Sequence, residues 1–242
     1  MKLQQLLSLT RKAVDEYKLI DENDRIAVGI SGGKDSLALL CALNELKRFY
    51  PNKFEIEAIT VHLGIEGMDF TPIKEFCAKI GVNYTIVNTE IYDIIFNARK
   101  ENNPCSLCAK MRKGAFNEKV LELGCNKVAY AHHKDDVIET LLMSLIYEGR
   151  IHTFSPKTYL DRTGLTLIRP LMYVYEADII GFKNKYNIPT IKNLCPADGF
   201  TKREYAKNLV KQLTDENPGC KERIFSAIIN GNLESWPERH VK

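Results

Sequence analysis

The stretch from Ile26 to Ser36 constrains this chain more than any other. Ile26-Ala27-Val28-Gly29-Ile30 is an apolar, β-leaning run that stops at Ser31. Gly32 and Gly33 follow, then Lys34-Asp35-Ser36, then Leu37, Leu39, Leu40 and Leu43 in a helical pattern. The order is strand, tight turn, helix N-terminus. Backbone N–H groups converge at such a junction, and the helix dipole favours an anion there. Gly32 and Gly33 carry no Cβ to keep a phosphate from the backbone, Ser31 and Ser36 add hydroxyl donors, and Lys34 adds a positive charge. A plain βα turn would explain a Gly-Gly pair, but the full Ser-Gly-Gly-Lys-Asp-Ser string favours a phosphate site. It is not a Walker A loop, which needs Ser or Thr directly after the lysine, where this chain has Asp35. It also lacks the Gly-x-Gly-x-x-Gly of dinucleotide-binding turns. An acid beside phosphates is tolerable when a cation lies between them, so Asp35 points to Mg²⁺.

Ser31–Ser36 resembles the pyrophosphate loop of the PP-loop ATP pyrophosphatases. The resemblance implies a loop that holds the β- and γ-phosphates of ATP while the α-phosphate is attacked. The products would be an adenylated substrate and pyrophosphate.

The rest of the chain supplies the setting. Leu3, Leu6, Leu7, Thr10, Val14 and Tyr17 recur at helical spacing and predict a helix over about 3–19. Strands are predicted at about 25–30, 54–62, 83–87 and 127–131. Helices are predicted from the loop to about Tyr50, then over about 70–80, 91–104 and 106–123, and from His132-His133-Lys134-Asp135-Asp136 to Gly149. Residues 150–168 read as loop and hairpin, turning at Asp161-Arg162-Thr163-Gly164. Helices at about 175–186, 201–215 and 220–230 complete the chain. The alternation predicts an α/β fold with a mostly parallel central sheet, helices on both faces and a small helical C-terminal extension. One domain over 1–242 is expected, with an N-terminal helix (1–20), an α/β core (21–170) and a helical C-terminal part (171–242). Ligands of such sheets bind at the carboxyl ends of the strands, so Ser31–Ser36, His62 and the later motifs should share one rim.

The net charge of +3 permits a nucleic-acid partner without arguing for one. No apolar run approaches the ~20 residues that span a bilayer. The start, Met1-Lys2-Leu3-Gln4-Gln5-Leu6-Leu7, lacks the long apolar core and cleavage site of a signal peptide. A cytoplasmic protein with no membrane partner is expected. Seven cysteines in a reducing compartment then read as thiols or metal ligands rather than disulfides.

Cys105-x-x-Cys108 opens a helix, a setting that lowers a thiol's pKa and suits metal. Half a zinc site, a redox pair and part of an iron–sulfur cluster are all compatible with it. No second Cys-x-x-Cys exists to complete a usual zinc site, and Cys195 is one more cysteine in a loop, beside Pro196. Cys41 and Cys77 sit at helical positions as buried hydrophobes, and Cys125 and Cys220 read as bystanders. Spacing alone does not choose iron over zinc.

Pro104-Cys105-Ser106-Leu107-Cys108, Arg112-Lys113-Gly114, His132-His133-Lys134-Asp135-Asp136, Ile168-Arg169-Pro170-Leu171 and Asn193-Leu194-Cys195 occur in one order after Ser31–Ser36. Together, over about residues 20–215, they resemble the tRNA 2-thiocytidine synthetase family. That resemblance implies ATP, Mg²⁺ and a 4Fe–4S cluster on Cys105, Cys108 and Cys195. It implies adenylation of the C2 carbonyl of cytidine 32 of tRNA, followed by replacement of the oxygen by sulfur. Partners would be tRNA and a sulfur donor, either a cysteine desulfurase or inorganic sulfide; a homodimer is compatible. The chain departs from the family in being shorter and in carrying Pro196-Ala197-Asp198 after Cys195.

By the same resemblance, Ser31, Gly32, Gly33, Lys34, Asp35 and Ser36 hold ATP, with His62 at the adenosine and His132 facing the nucleotide. Asp35, Lys34 and Asp135 are the catalytic candidates, Asp35 as the Mg²⁺ ligand and Asp135 as a second metal or substrate contact. Asp135 and Asp136 would equally serve as first-turn acids of a helix, and His62 as a strand-end polar residue. Three basic clusters suit phosphate contacts to folded RNA: Arg99, Lys100, Lys110, Arg112 and Lys113; Arg150, Lys157, Arg162 and Arg169; and Lys202, Arg203, Lys207 and Lys211. The alternatives are a PP-loop tRNA 2-thiouridine synthetase, another adenylating tRNA-modifying ligase, and a nucleotide-binding regulatory module.

Overall fold

In a computed structural model, residues 1–98, 104–192, 194–195, 202–231, 233 and 236–240 are described. Residues 99–103, Asn193 and Pro196-Ala197-Asp198 lie outside them.

The chain opens with α1 (Leu3–Glu16), β1 (Asp24–Gly29), α2 (Lys34–Leu46), β2 (Phe54–His62), α3 (Thr71–Ile80) and β3 (Asn83–Asn88). A π-helical turn at Asp93–Ala98 precedes α4 (Pro104–Glu122), β4 (Lys127–Ala129) and α5 (Lys134–Met143). A second π-helical turn, Ser144–Glu148, extends α5 to Gly149, which turns left-handed. The hairpin β5 (Lys157–Leu160) and β6 (Leu165–Ile168) follows, then α6 (Glu176–Lys185), α7 (Lys202–Glu216) and α8 (Cys220–Asn230).

The six strands form one sheet in the order β3-β2-β1-β4-β6-β5, parallel except for the antiparallel edge strand β5. The chain winds outward from β1 to β3 and then crosses to β4 on the other side of β1. That reversal opens a crevice at the carboxyl ends of β1 and β4, where α/β sheets bind ligands.

Strand alternation divides the core between the two faces. Ile26, Val28, Ile56 and Ala58 face a large cluster built with α1, α2, α3, α5, α6 and α8. Ala27, Ile59 and Val128 face a smaller cluster, in which Phe116 and Val120 of α4 cover the sheet. Helices therefore cover both faces, as the sequence pattern predicts. The same parity decides which residues past each strand end look into the crevice on the α4 side.

Candidate active site: a phosphate loop and three thiols around one cavity

A cavity of about 580 Å³ lies at the carboxyl rim of β1, β2 and β4. Its lining brings together Ser31, Asp35 and Ser36 of the loop, Cys105, Cys108 and Cys195, and the polar side chains of His132, Asp136, Arg112 and Lys113. Val61, Leu63, Ile95, Phe96 and Phe116 give it apolar walls.

The loop is tied by its own serines. The Ser31 amide donates to Ser36 Oγ at 3.2 Å, the Gly33 amide donates to Ser31 Oγ at 3.3 Å, and Ser36 Oγ donates to the Gly33 carbonyl at 3.0 Å. Gly33 is the extended N-cap of α2, so the first amides of that helix lie at the loop. Gly32 turns with φ +84°, and a Cβ there would stand 2.3 Å from Ile191 Cγ1. The Ile191 amide also donates to the Gly32 carbonyl at 3.0 Å, which ties the segment after α6 to the loop. Asp35 Oδ2 accepts from Lys34 Nζ at 3.1 Å, whereas its buried Oδ1 has no hydrogen-bond partner among the described residues. An orphaned carboxylate oxygen on a residue that lines the cavity fits a divalent cation such as Mg²⁺.

Beside the loop runs a chain of ion pairs that sequence reasoning missed. Lys34 Nζ also donates to Glu176 Oε1 at 3.0 Å, and Lys207 meets the other oxygen of Glu176 at 2.9 Å. Burial pushes the Glu176 carboxyl up, but the hydrogen bonds from Lys207 and Lys34 outweigh it and hold the group at about 2. The Glu176 amide donates to Asp135 Oδ2 at 2.8 Å, and Lys221 donates to Asp135 Oδ1. Arg203 reaches Asp136 at 3.1 Å and Glu139 at 3.5 Å. Cations of α7 and α8 thus fasten onto acids next to the phosphate loop. Glu176 is the first residue of a helix, where an acid reads as a dipole partner, so the sequence carried no signal for this role.

His132 Nδ1 accepts from Arg169 Nε at 3.0 Å, and its ring stacks on Phe154 at 4.5 Å. Burial first, and then the Arg169 charge, lowers His132 to about 4. Burial also lowers Arg169, to about 10.

Several expected positions move. His62 does not line the cavity: Val61 and Leu63 do, and the pleat turns His62 to the opposite face. There its Nε2 stands 3.2 Å from the Ile65 carbonyl and its ring meets the edge of Phe70. Asp135 is buried against Glu176 and Lys221, outside the lining, and Asp136 takes the cavity position. Asp136 also closes the α5 capping box with His133. Of the basic clusters, Arg112 and Lys113 line the cavity. Arg169 is buried, and Arg203 and Lys207 are committed to internal acids. Arg150 pairs with Glu148, and Lys157 donates to the Lys18 carbonyl.

Cys105 and Cys108 stand one helical turn apart on α4, which turns both toward one side. Burial pushes the Cys108 thiol up, Arg112 pulls it down, and Cys195 and Cys105 are near enough to act on it. Among the described residues, no three His, Cys, Asp or Glu side chains converge tightly enough to ligate one metal ion. Zinc gathers its thiolates at about 2.3 Å from a single centre, whereas a cubane takes each thiolate on a different iron. Three thiols lining one cavity are soft donors of the kind that an iron–sulfur cluster takes. Burial pushes Cys41 up to about 12 and Cys77 and Cys125 to about 11, which leaves those three inert.

Sheet order, phosphate loop and cavity define a nucleotide-binding α/β protein with three thiols lining the space beside its phosphate loop. The model of the PP-loop domain family matches residues 3–212. A tRNA-cytidine(32) 2-sulfurtransferase of Citrifermentans bemidjiense is 37% identical over 222 residues, covering 90% of this chain and 87% of that protein. The chain belongs to the PP-loop family and, within it, to the tRNA-cytidine(32) 2-sulfurtransferases. Among solved structures it is similar to the U34-tRNA thiolase NcsA of Methanococcus maripaludis with its 4Fe–4S cluster. That match has a TM-score of 0.76 at 26% identity and covers 96% of this chain and 81% of that one. An NH3-dependent NAD synthetase of Campylobacter jejuni shares the fold, with a TM-score of 0.51 at 18% identity, over 98% of this chain and 100% of that one.

Proposed function

We propose that this chain is an ATP-dependent tRNA sulfurtransferase that adenylates the C2 carbonyl oxygen of cytidine 32 and then replaces that oxygen with sulfur. One observation carries the reading: a single cavity is lined both by Ser31, Asp35 and Ser36 and by Cys105, Cys108 and Cys195. Activation by ATP and delivery of sulfur need to meet at one carbon, and this lining brings their two sets of groups together.

The loop amides and the Ser31 and Ser36 hydroxyls would bind the β- and γ-phosphates, with Lys34 contributing charge and Asp35 holding Mg²⁺. Adenylation converts a poor leaving oxygen into AMP. The apolar walls shield the adenylate from hydrolysis. A 4Fe–4S cluster held by Cys105, Cys108 and Cys195 would supply the sulfur-delivering iron. Arg112 and Lys113 suit the tRNA backbone near the target base. The sulfur would come from a cysteine desulfurase or inorganic sulfide, and the protein would act as one PP-loop domain over 1–242, as a monomer or a homodimer, in the cytoplasm. No described helix is long and apolar enough to cross a membrane.

The likeness to a U34-tRNA thiolase favours a second reading, 2-thiouridine synthesis, at the lower identity of 26% against 37%. Anaerobic purification with iron and sulfide analysis and a visible spectrum tests the metal centre. A colourless, iron-free, zinc-loaded protein that still thiolates tRNA would refute the cluster.

A further inference from the structure

His132 is held in one protonation state by its neighbours. Arg169 follows β6 and is 7% exposed. Its Nε donates to His132 Nδ1 at 3.0 Å, while its Nη1 donates to the Ser155 carbonyl and to Thr158 Oγ1. A guanidinium has only N–H donors, so Nδ1 is the unprotonated nitrogen and the imidazole is the Nε2–H tautomer. Protonating Nδ1 would set two N–H groups head to head and a cation against a cation. Phe154 stacks on the imidazole at 4.5 Å and lies 4.8 Å under the guanidinium, so one ring fixes both groups.

Among the described residues no hydrogen bond engages Nε2, and it is not one of the buried atoms left without a partner, so it reaches the cavity that His132 lines. Val28 and Ala129 are the last pair of the β1–β4 ladder, and Ser31 and His132 each stand three residues beyond it. Ser31 and His132 both line the one cavity, so His132 faces the same space as the first residue of the phosphate loop. The charged groups acting on the ring are Arg169, Asp136, Arg203 and His133, and Asp136 is itself bonded to Arg203.

We propose that His132 donates a hydrogen bond from Nε2 to the transferring α-phosphate of ATP, as a neutral imidazole, and that Arg169 is the positioning residue that fixes its tautomer. The inference rests on the reading of the cavity as an adenylation site. Negative charge redistributes over the α-phosphate oxygens as the pyrimidine oxygen attacks and pyrophosphate leaves, and a preset donor stabilises it without reorganising. The attacking carbonyl oxygen carries no proton, so the step needs no general base. A ring whose Nδ1 is capped and whose Nε2 holds its hydrogen is suited to donate and unsuited to abstract. Its low pKa, set by burial and Arg169, keeps it in that state through the physiological range.

Long-range ¹⁵N–¹H spectra of the full chain, labelled at histidine, read the tautomer and titration of His132, with the resonance assigned by its loss in His132→Gln. The expected result is an Nε2–H tautomer that does not titrate from about pH 5.5 to 8.5. In Arg169→Met the ring should lose its fixed tautomer and its pKa should rise, yet stay below the ordinary ~6.5 because the burial remains. In pyrophosphate release with ATP and tRNA, His132→Ala should lose about 100-fold in kcat with little change in KM for ATP. His132→Gln, which keeps an N–H donor, should recover activity to within about tenfold of wild type. A wild-type ring that titrates between about pH 6 and 7, or an Nδ1–H tautomer, overturns the proposal, as does His132→Ala with wild-type kcat. Wild-type protein that shows the expected spectra yet releases no pyrophosphate refutes the adenylation reading, and with it the α-phosphate as acceptor, while the tautomer stands.

Discussion

Glu176→Gln tests whether the helical C-terminal part is fastened to the phosphate loop by charge. The carboxylate accepts from Lys34 at 3.0 Å and meets Lys207 at 2.9 Å, with 21% of its side chain exposed. A hydrogen bond to a charged group contributes roughly 1.5–3 kcal/mol, and solvent access to all three side chains screens much of that. We expect the substitution to cost about 2 kcal/mol in total. For a chain of this size that lowers Tm by about 4–8 °C. The pH dependence follows from a carboxyl held at about 2 against its ordinary 4.5. Such a group stabilises fully above its unfolded value, and the contribution is lost as pH falls through the folded one. The Tm gap between wild type and variant, measured by thermal unfolding, should therefore be complete at pH 7 and narrow from about pH 5 to 3. A gap below about 1 °C at pH 7, or one that stays constant down to pH 3, would show that charge at Glu176 does not fasten the C-terminal helices.

Three further outcomes are expected. Gly32→Ala should weaken ATP binding, measured by calorimetry, at least about tenfold, and adding Ile191→Ala should not restore it, because the left-handed backbone at φ +84° remains strained at about 1–2 kcal/mol. Alanine at Cys105, Cys108 or Cys195 should each abolish bound iron and thiolation yet shift urea unfolding of the metal-free protein by no more than about 0.5 kcal/mol, since none of the three is buried. Burial and Asp136 raise Glu139 to about 7, so the stability linked to its proton is full below its ordinary 4.5 and is lost as pH rises through 7. Glu139→Gln should match wild type near pH 5 and exceed it by about 1 kcal/mol near pH 8 in urea unfolding.

Local chemistry made much of the fold legible. The β1–loop–α2 unit, the β5–β6 hairpin at Asp161–Gly164 and the break at Gly149 follow from turn residues and alternation within a few positions of one another. Helix ends were less legible: α1 stops at Glu16, where Lys18 turns to φ +45°, and α2 stops at Leu46, ahead of Pro51. The π-helical turns at Asp93–Ala98 and Ser144–Glu148 are too short for the shift in apolar phase that they cause to be read from the sequence. That His62 faces away from Val61 and Leu63 was readable from its parity in the strand. The Lys34–Glu176 and Arg169–His132 pairs join residues 142 and 37 positions apart, a distance at which charge patterning in one sequence says nothing.

The central claim is that ATP activation and the three thiolates serve one reaction on tRNA. Nucleoside analysis of bulk tRNA from a deletion strain, complemented with wild type or with Cys105→Ala, tests it most directly. 2-Thiocytidine should be absent on deletion, restored by wild type and not by the variant. Unchanged 2-thiocytidine on deletion, or full restoration by Cys105→Ala, would contradict it.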